Sequence, residues 1–241
     1  MRYPRGYVAL ERALSKLGMA SRSEAQRRIR SGDVTVNGRV VRDPLAGVHP
    51  ARDAIAVAGQ AAMKRAWRTI AFHKPRGIVT TRHDPEGRRT VFDFLGEAAE
   101  GLVAIGRLDL ATTGLLLLTS DTQLAERFTN PRNAVVRRYV VTVRGEVSDE
   151  ACRALESGFD GMRAVSVGVR KRSRRETHLI VDLIEGRNRE IRRLFAAIGG
   201  EVTRLLRVAY GPIELGRLQP GEWREVRPDE LGFMRGASFR R

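Results

Sequence analysis

Leu115-Leu116-Leu117-Leu118 is apolar at four successive positions and so has no wet side. A strand with one solvated face alternates apolar and polar residues. A run apolar on both faces reads as a strand covered on both sides. The stretch around it, AIGRLDLATTGLLLLTSD at 104–121, places Gly106 and Asp109 in a turn region between two strands, with Thr112-Thr113-Gly114 as a polar turn. A carboxylate just ahead of a buried strand can be held rigidly, as a working side chain requires. A lone aspartate in a loop also serves as a turn former or helix cap. The residues by themselves leave both readings open.

The rest of the chain supplies the elements such a strand needs. From Trp67 onward, strand-like runs occur at 68–73, 102–106, 115–119, 137–144, 164–170, 177–184 and 201–208. Helical patterns fall between some of them, at 121–128, 148–157 and 188–198. The expectation is an α+β domain with a long mixed, mainly antiparallel sheet flanked by helices. There is no solenoid-length repeat and no low-complexity tract.

A different pattern precedes Trp67. Leu10, Leu14 and Leu17 recur on one helical face, and Gly18 ends that helix. Ser21 and Glu24 have the spacing of a capping box for a second helix. That helix turns Ala25 and Ile29 inward, leaves Arg22, Arg27, Arg28 and Arg30 to solvent, and stops at Gly32. Val34 and Val36 alternate, Asn37-Gly38 is a hairpin turn, Val40-Val41 returns, and Ile55 with Val57 reads as a further strand. The predicted division is a small domain at 1–60, a linker at 61–66 and a larger domain at 67–241.

Charge narrows the partner. The 44 Lys and Arg against 28 Asp and Glu give +16, with a surplus of six already in residues 1–60 (eleven basic, five acidic). Such an excess implies a polyanion. Nucleic acid is preferred over a membrane surface, because no apolar run approaches the roughly 20 residues needed to span. Arginine runs are often only solvated faces, but four arginines among the nine residues 22–30, beside one acid, favour phosphate binding. The opening MRYPRGYVAL lacks the apolar core and cleavage site of a secretory signal. Cys152 is the only cysteine and cannot form an internal disulfide, which fits a reducing cytoplasm. His49, His73, His83 and His178 are scattered singly, so no metal is expected, and the chain has neither a Walker loop nor a dinucleotide fingerprint. A monomer is the default expectation.

Longer segments carry a resemblance. YVALERALSKLGMASRSEAQRRIRSGDVTVNGRVV resembles the small RNA-binding domain named after the fourth protein of the small ribosomal subunit, over about 7–59. GRLD followed by TTGLLLLTSD, together with KPRGIVTT at 74–81, RRYVVTV at 137–143 and EGRNREIRRLFAAIGGEVTRLLRVAYGPIELGRLQPGEWREV at 185–226, resembles the RsuA-like family of ribosomal RNA pseudouridine synthases. The resemblance implies an rRNA-modifying isomerase. It makes Asp109 the catalytic aspartate and Tyr139 the tyrosine that stacks on the target base. It makes Arg192 the cation paired with the aspartate, and it puts Arg107 in the loop that fills the gap left in the RNA. Ser120, Thr122, Arg138 and Glu190 depart from the family's commoner residues; at Glu190 a glutamine is frequent. The C-terminal stretch looks more like the large-subunit (23S) members than the small-subunit (16S) one. The substrate implied is ribosomal RNA or a ribosomal precursor particle.

The chemistry agrees with these residue types. Pseudouridylation breaks the bond from ribose to a uracil nitrogen, turns the base and rejoins it through carbon, so no cofactor is needed. It requires a carboxylate acting as nucleophile or base, and a neighbouring guanidinium favours the charged form. The uridine must leave its stack to react, and an aromatic ring offers it a new one, worth about 1–3 kcal/mol. In GRNREIRR, Gly186-Arg187-Asn188 reads as a turn and cap before a helix whose N-terminus attracts phosphate. Arg187, Arg189 and Arg193 are the candidate RNA contacts there, and whether Arg192 shares their face or turns inward is left open. Two rivals remain: a catalytically inactive rRNA-binding assembly factor of the same fold, and a DNA-binding protein.

Overall fold

A computed structural model describes residues 3–20, 22–61 and 67–236. The chain divides into two compact units, Met1–Arg68 with Glu100–Val103 and Thr119–Gln123, and Thr69–Ala99 with Ala104–Leu118 and Leu124–Arg241.

The smaller unit carries β1 (Val8–Ala9), α1 (Leu10–Lys16), α2 (Arg22–Ser31), β2 (Val34–Val36), β3 (Arg39–Val40), β4 (Gly47–Val48), β5 (Ile55–Val57) and β6 (Gln60–Ala61). Leu10 and Leu14 on α1 face Ala25 and Ile29 on α2. These four are fully buried and share a core with Val34, Val48, Ile55 and Val57. The helical spacing read from the sequence is therefore the packing seam. Asn37 (φ 52°) and Gly38 (φ 78°) both adopt the left-handed conformation. That is the requirement of a two-residue hairpin turn matched to strand twist, and it sets Val36 opposite Arg39. The expected capping box rests on Ser21, which lies outside the described residues. Glu24, its other half, pairs with Arg27 and Arg28. Ala61 pairs with Ala56 across the β5–β6 hairpin, and residues 62–66 of the expected linker lie outside the described residues.

The larger domain contributes β7 (Thr69–Lys74), α3 (Val91–Leu95), β8 (Val103–Ile105), β9 (Thr113–Thr119), α4 (Thr122–Thr129), β10 (Arg137–Arg144), α5 (Asp149–Ser157), β11 (Ser166–Arg172), β12 (Glu176–Leu183), α6 (Glu190–Ala197), β13 (Val202–Tyr210), β14 (Ile213–Glu214), β15 (Trp223–Glu225) and α7 (Pro228–Gly236). The strands form one nine-stranded sheet in the order β11-β12-β10-β13-β9-β7-β15, with β8 beside β9 and β14 beside β13. β10 is antiparallel to both β12 and β13, β11 to β12, and β15 to β7, whereas β13 and β9 run parallel. This is the α+β architecture with a mixed, mainly antiparallel sheet.

The all-leucine run occupies the middle of that sheet, and all four side chains are fully buried. Leu115 and Leu117 pack with Leu124 and Phe128 of α4 and Leu231 of α7. Alternation turns Leu116 and Leu118 to the opposite face. Each burial stabilises the fold by about 1.5–3 kcal/mol, and together they fix the strand that the Asp109 turn feeds. Short strands such as β14 aside, three elements of the larger domain go beyond the sequence expectation. These are α3, started by a capping box between Thr90 and Asp93, the edge strand β15, and α7. Among the described residues, no helix is long and apolar enough to cross a membrane.

Candidate active site

Asp109 sits half-buried in the turn between β8 and β9. The end of β7 and the segment after it brace this turn at three points. The Lys74 ammonium donates to the Thr112 carbonyl at 2.9 Å. The Gly77 amide donates to the Leu110 carbonyl at 2.9 Å. The Thr80 hydroxyl donates to the Leu108 carbonyl at 2.9 Å and accepts from the Leu108 amide at 3.2 Å. The turn is closed internally by the Thr112 amide on the Asp109 carbonyl at 3.0 Å. A loop carboxylate is thereby fixed by backbone contacts on both sides of it.

Lys74 is fully buried. Burial pulls its ammonium down to about 8, and the Asp109 charge pulls it partly back up. Low-dielectric surroundings disfavour the charged form, while a nearby anion favours it.

Beyond Asp109 opens a cleft of about 480 Å³. Its wall from β10 includes Tyr139, 8 % exposed, and Arg137; its wall from β13 includes Arg207 and Tyr210. The Tyr210 ring lies between two guanidinium groups, each 4.7 Å from its centroid. Its hydroxyl donates to the Phe128 carbonyl at 2.8 Å and accepts from Arg137 at 2.9 Å. Arg137 also donates to the carbonyls of Val135 and Ile184. Arg207 is 2 % exposed; its Nε donates to the Leu115 carbonyl at 2.7 Å, and its Nη2 is buried without a partner among the described residues.

Gly114 sets how near the two walls come. It is the second residue of β9, opposite Arg207 of β13, with φ 106°. A Cβ at this position would meet the Arg207 backbone oxygen and lie 2.6 Å from its backbone nitrogen. Only glycine lets the strand below Asp109 approach β13 this closely.

Arg192 is partly buried on α6 and does not touch Asp109. Its Nη1 donates to the Val202 carbonyl at 2.6 Å. Burial and the charges of Arg189 and Arg76 push its guanidinium down, and the Asp109 charge acts in the opposite sense. The expected Asp109–Arg192 pair is thus corrected from a contact ion pair to an electrostatic neighbour. The guanidinium is committed instead to the Val202 carbonyl at the start of β13.

The start of α6 also differs from expectation. The N-cap residue is Arg189, left-handed at φ 51° with no side-chain cap bond, and not Asn188. Glu190 reaches back instead, accepting from the Arg187 amide at 3.0 Å. A non-glycine residue at positive φ is uncommon and is a feature of constrained sites. Glu190 is 4 % exposed, its second oxygen has no partner among the described residues, and burial pushes its carboxyl above the usual range.

Asp109, Tyr139, Arg107, Arg187 and Arg189 therefore meet in one cleft. Arg107, Arg187, Arg189 and Arg193 are exposed, and Arg193 stands on α6 outside the cleft lining. Arg22, Arg27 and Arg30 are exposed on α2, and Arg28 is partly covered through its bond to Glu24 at 2.8 Å. Lys74, Thr112, Arg137 and Arg207 escape sequence reasoning. A signal exists for two of them: Lys74 ends the apolar run TIAFHK, and Arg207 falls on an inward position of LLRVAY.

Residues 68–197 match the RNA pseudouridylate synthase family, and residues 10–50 match the S4 domain. The chain belongs to the RNA pseudouridylate synthase family. As a member it is an isomerase that turns uridine into pseudouridine, with the leading RNA-binding domain of the RsuA-like branch. It is 35% identical to an uncharacterized RNA pseudouridine synthase of Aquifex aeolicus, over 93% of this chain and 92% of that one. It is 39% identical to the ribosomal large subunit pseudouridine synthase B of Vibrio cholerae (94% and 74% covered). It is 37% identical to the protein of that name from Escherichia coli K12 (94% and 81%). A crystal structure of a pseudouridylate synthase superposes with a TM-score of 0.65 at 27% identity, covering 93% of this chain and 98% of that one.

Proposed function

We propose that this pseudouridine synthase acts on a specific uridine of ribosomal RNA, in the large-subunit (23S) molecule, with Asp109 as its catalytic carboxylate. The observation that carries the reading is the convergence of a backbone-braced Asp109 and a buried Tyr139 on one cleft. Its volume of about 480 Å³ falls in the range of small-molecule sites, as a flipped base requires. Arg107, Arg187 and Arg189 supply positive charge around that cleft for the flanking phosphates. The large-subunit assignment is supported by the names of the Vibrio cholerae and Escherichia coli relatives.

In the reaction, the N1–C1′ bond of the uridine breaks, the base turns, and a C5–C1′ bond forms; the proton on C5 is lost to solvent and N1 takes one up, so the protons balance. Asp109 serves as nucleophile or base, Tyr139 offers the stacking face, and Arg192 with Lys74 keeps positive charge near the carboxylate. Release of tritium from C5-labelled rRNA by the purified protein tests the activity. Mapping pseudouridines by carbodiimide-primer extension in a deletion strain tests the address. Loss of a 16S signal in place of a 23S one overturns the large-subunit assignment. Absence of tritium release favours the inactive assembly factor.

A further inference from the structure

Six buried side-chain polar atoms lack a hydrogen-bond partner among the described residues, and three of them belong to residues lining the cleft beside Asp109: Thr112 Oγ1, Glu190 Oε1 and Arg207 Nη2. These side chains are 2 %, 4 % and 2 % exposed. An unsatisfied buried polar atom costs about 1–3 kcal/mol, and native proteins keep few of them. All three belong to one cleft, where an entering ligand can satisfy them.

The chemical types are informative. The guanidinium Nη2 can only donate. Glu190 Oε1 accepts when the carboxyl is ionised, its other oxygen already taking the Arg187 amide. The Thr112 hydroxyl does either. The set is donor, acceptor and adaptable hydroxyl. The free edge of uracil reads carbonyl O2, N3–H, carbonyl O4: acceptor, donor, acceptor. Resting on the proposed function above, we infer that Arg207, Glu190 and Thr112 read this edge of the flipped base. Glu190 accepts from N3–H, and Arg207 and Thr112 donate to the flanking carbonyls. Cytosine offers an acceptor at N3 and an amino group at C4, and so mismatches two of the three.

The reaction adds a second reason. Exchanging N1 for C5 at the ribose turns the base by half a revolution about the axis through N3 and C6. That turn swaps O2 with O4 and leaves N3–H in place. The edge therefore presents the same acceptor–donor–acceptor order before and after the turn. A site built on this edge holds substrate and product alike, with the Glu190 contact on the pivot. Arg207 is suited to a fixed role, since its Nε bond to Leu115 and the Tyr210 ring hold its plane.

The test uses the rRNA fragment in which the wild-type protein forms pseudouridine, made with uridine or 3-methyluridine at the target. The methyl group removes the N3–H donor and occupies the space before Glu190. The wild type should strongly prefer uridine. Glu190→Ala should slow uridine about 10- to 100-fold in single turnover and narrow the uridine-to-3-methyluridine ratio at least about tenfold. Glu190→Gln, which keeps an acceptor oxygen at similar reach, should recover part of the loss. Because Glu190 also caps α6, Arg207→Lys gives an independent arm. It should lower the single-turnover rate about tenfold or more with RNA affinity unchanged. An unchanged discrimination ratio in Glu190→Ala, or an Arg207→Lys protein with wild-type single-turnover rate, overturns the edge reading while the proposed function stands. Failure of the wild type to form pseudouridine in rRNA sinks the proposed function itself.

Discussion

The two units place their charges differently. In the smaller one, the arginines of α2 stand on the surface, partly answered by Glu24, over a core that is purely aliphatic. In the larger one, Lys74, Arg137, Glu190 and Arg207 are buried, and all but Lys74 line the cleft directly. Surface charge binds a polyanion cheaply and yields to salt. Buried charge costs stability and persists where it is hydrogen-bonded or used. The contrast separates a surface suited to binding RNA from a cleft suited to chemistry, and it can be broken experimentally.

The largest effect should come from Asp109→Asn. The change is nearly isosteric, and the backbone brace does not involve the carboxylate. Turnover should fall about 10²–10⁴-fold or more, with rRNA affinity little changed. Residual activity within tenfold of wild type would remove Asp109 from the chemistry.

Lys74→Met comes next. It takes the donor from the Thr112 carbonyl, loosening the Asp109 turn, so the single-turnover rate should drop more than RNA affinity. The stability signature has a definite sign. The folded value of about 8 lies below the ordinary 10.5, so between these pH values the unfolded chain binds more protons and stability rises with pH. Relative to the Met variant, the wild type should therefore gain stability from pH 8 to 10.5, by up to about 3 kcal/mol at 1.36 kcal/mol per unit. Below pH 8 the difference should be flat. Denaturant melts of both proteins across pH check this, and parallel profiles would show that Lys74 is not buried as a cation.

Arg192→Met should have a moderate effect of about tenfold on single-turnover rate, since its charge reaches Asp109 without a contact. Arg192→Lys should restore part of it. Arg189→Gln and Arg193→Gln should instead raise KM and leave saturated single-turnover chemistry nearly unchanged. If all three arginines only raise KM, the Asp109–Arg192 coupling has no role in the reaction.

The smallest effect on chemistry belongs to the other unit. Arg22→Gln, Arg27→Gln and Arg30→Gln combined should weaken rRNA binding. The salt dependence should flatten by about 0.7–0.9 in log–log slope for each phosphate no longer neutralised. An unchanged slope would mean that α2 does not touch RNA.

What can be read in the sequence follows from range. Local periodicity exposes α1, α2, β9 and β10, and the Asn37-Gly38 turn is legible because its conformation is a property of two adjacent residues. The Asp109 turn is visible next to a strand that has to be buried. The brace is not, because Lys74 and Thr112 are distant in sequence and meet only once β7 and β9 share a sheet. β15 is hidden for the same reason, pairing with β7 across most of the domain. Arg207 and the inward oxygen of Glu190 look like ordinary charged residues until burial is known. Arg192 departs from expectation through reach: it holds the motif position, but its side chain spends its hydrogen bond on Val202.

Gly114 has a genetic consequence. A side chain there would collide with the main chain of Arg207, not with another side chain. Clashes between side chains can be relieved by shrinking the neighbour, so their mutants acquire second-site suppressors. At Gly114 no replacement on β13 removes the obstructing atoms, since every residue type brings the same backbone. A selection for revertants of Gly114→Ala should return glycine at that codon and little else, leaving a position that drift can erase but local compensation cannot repair.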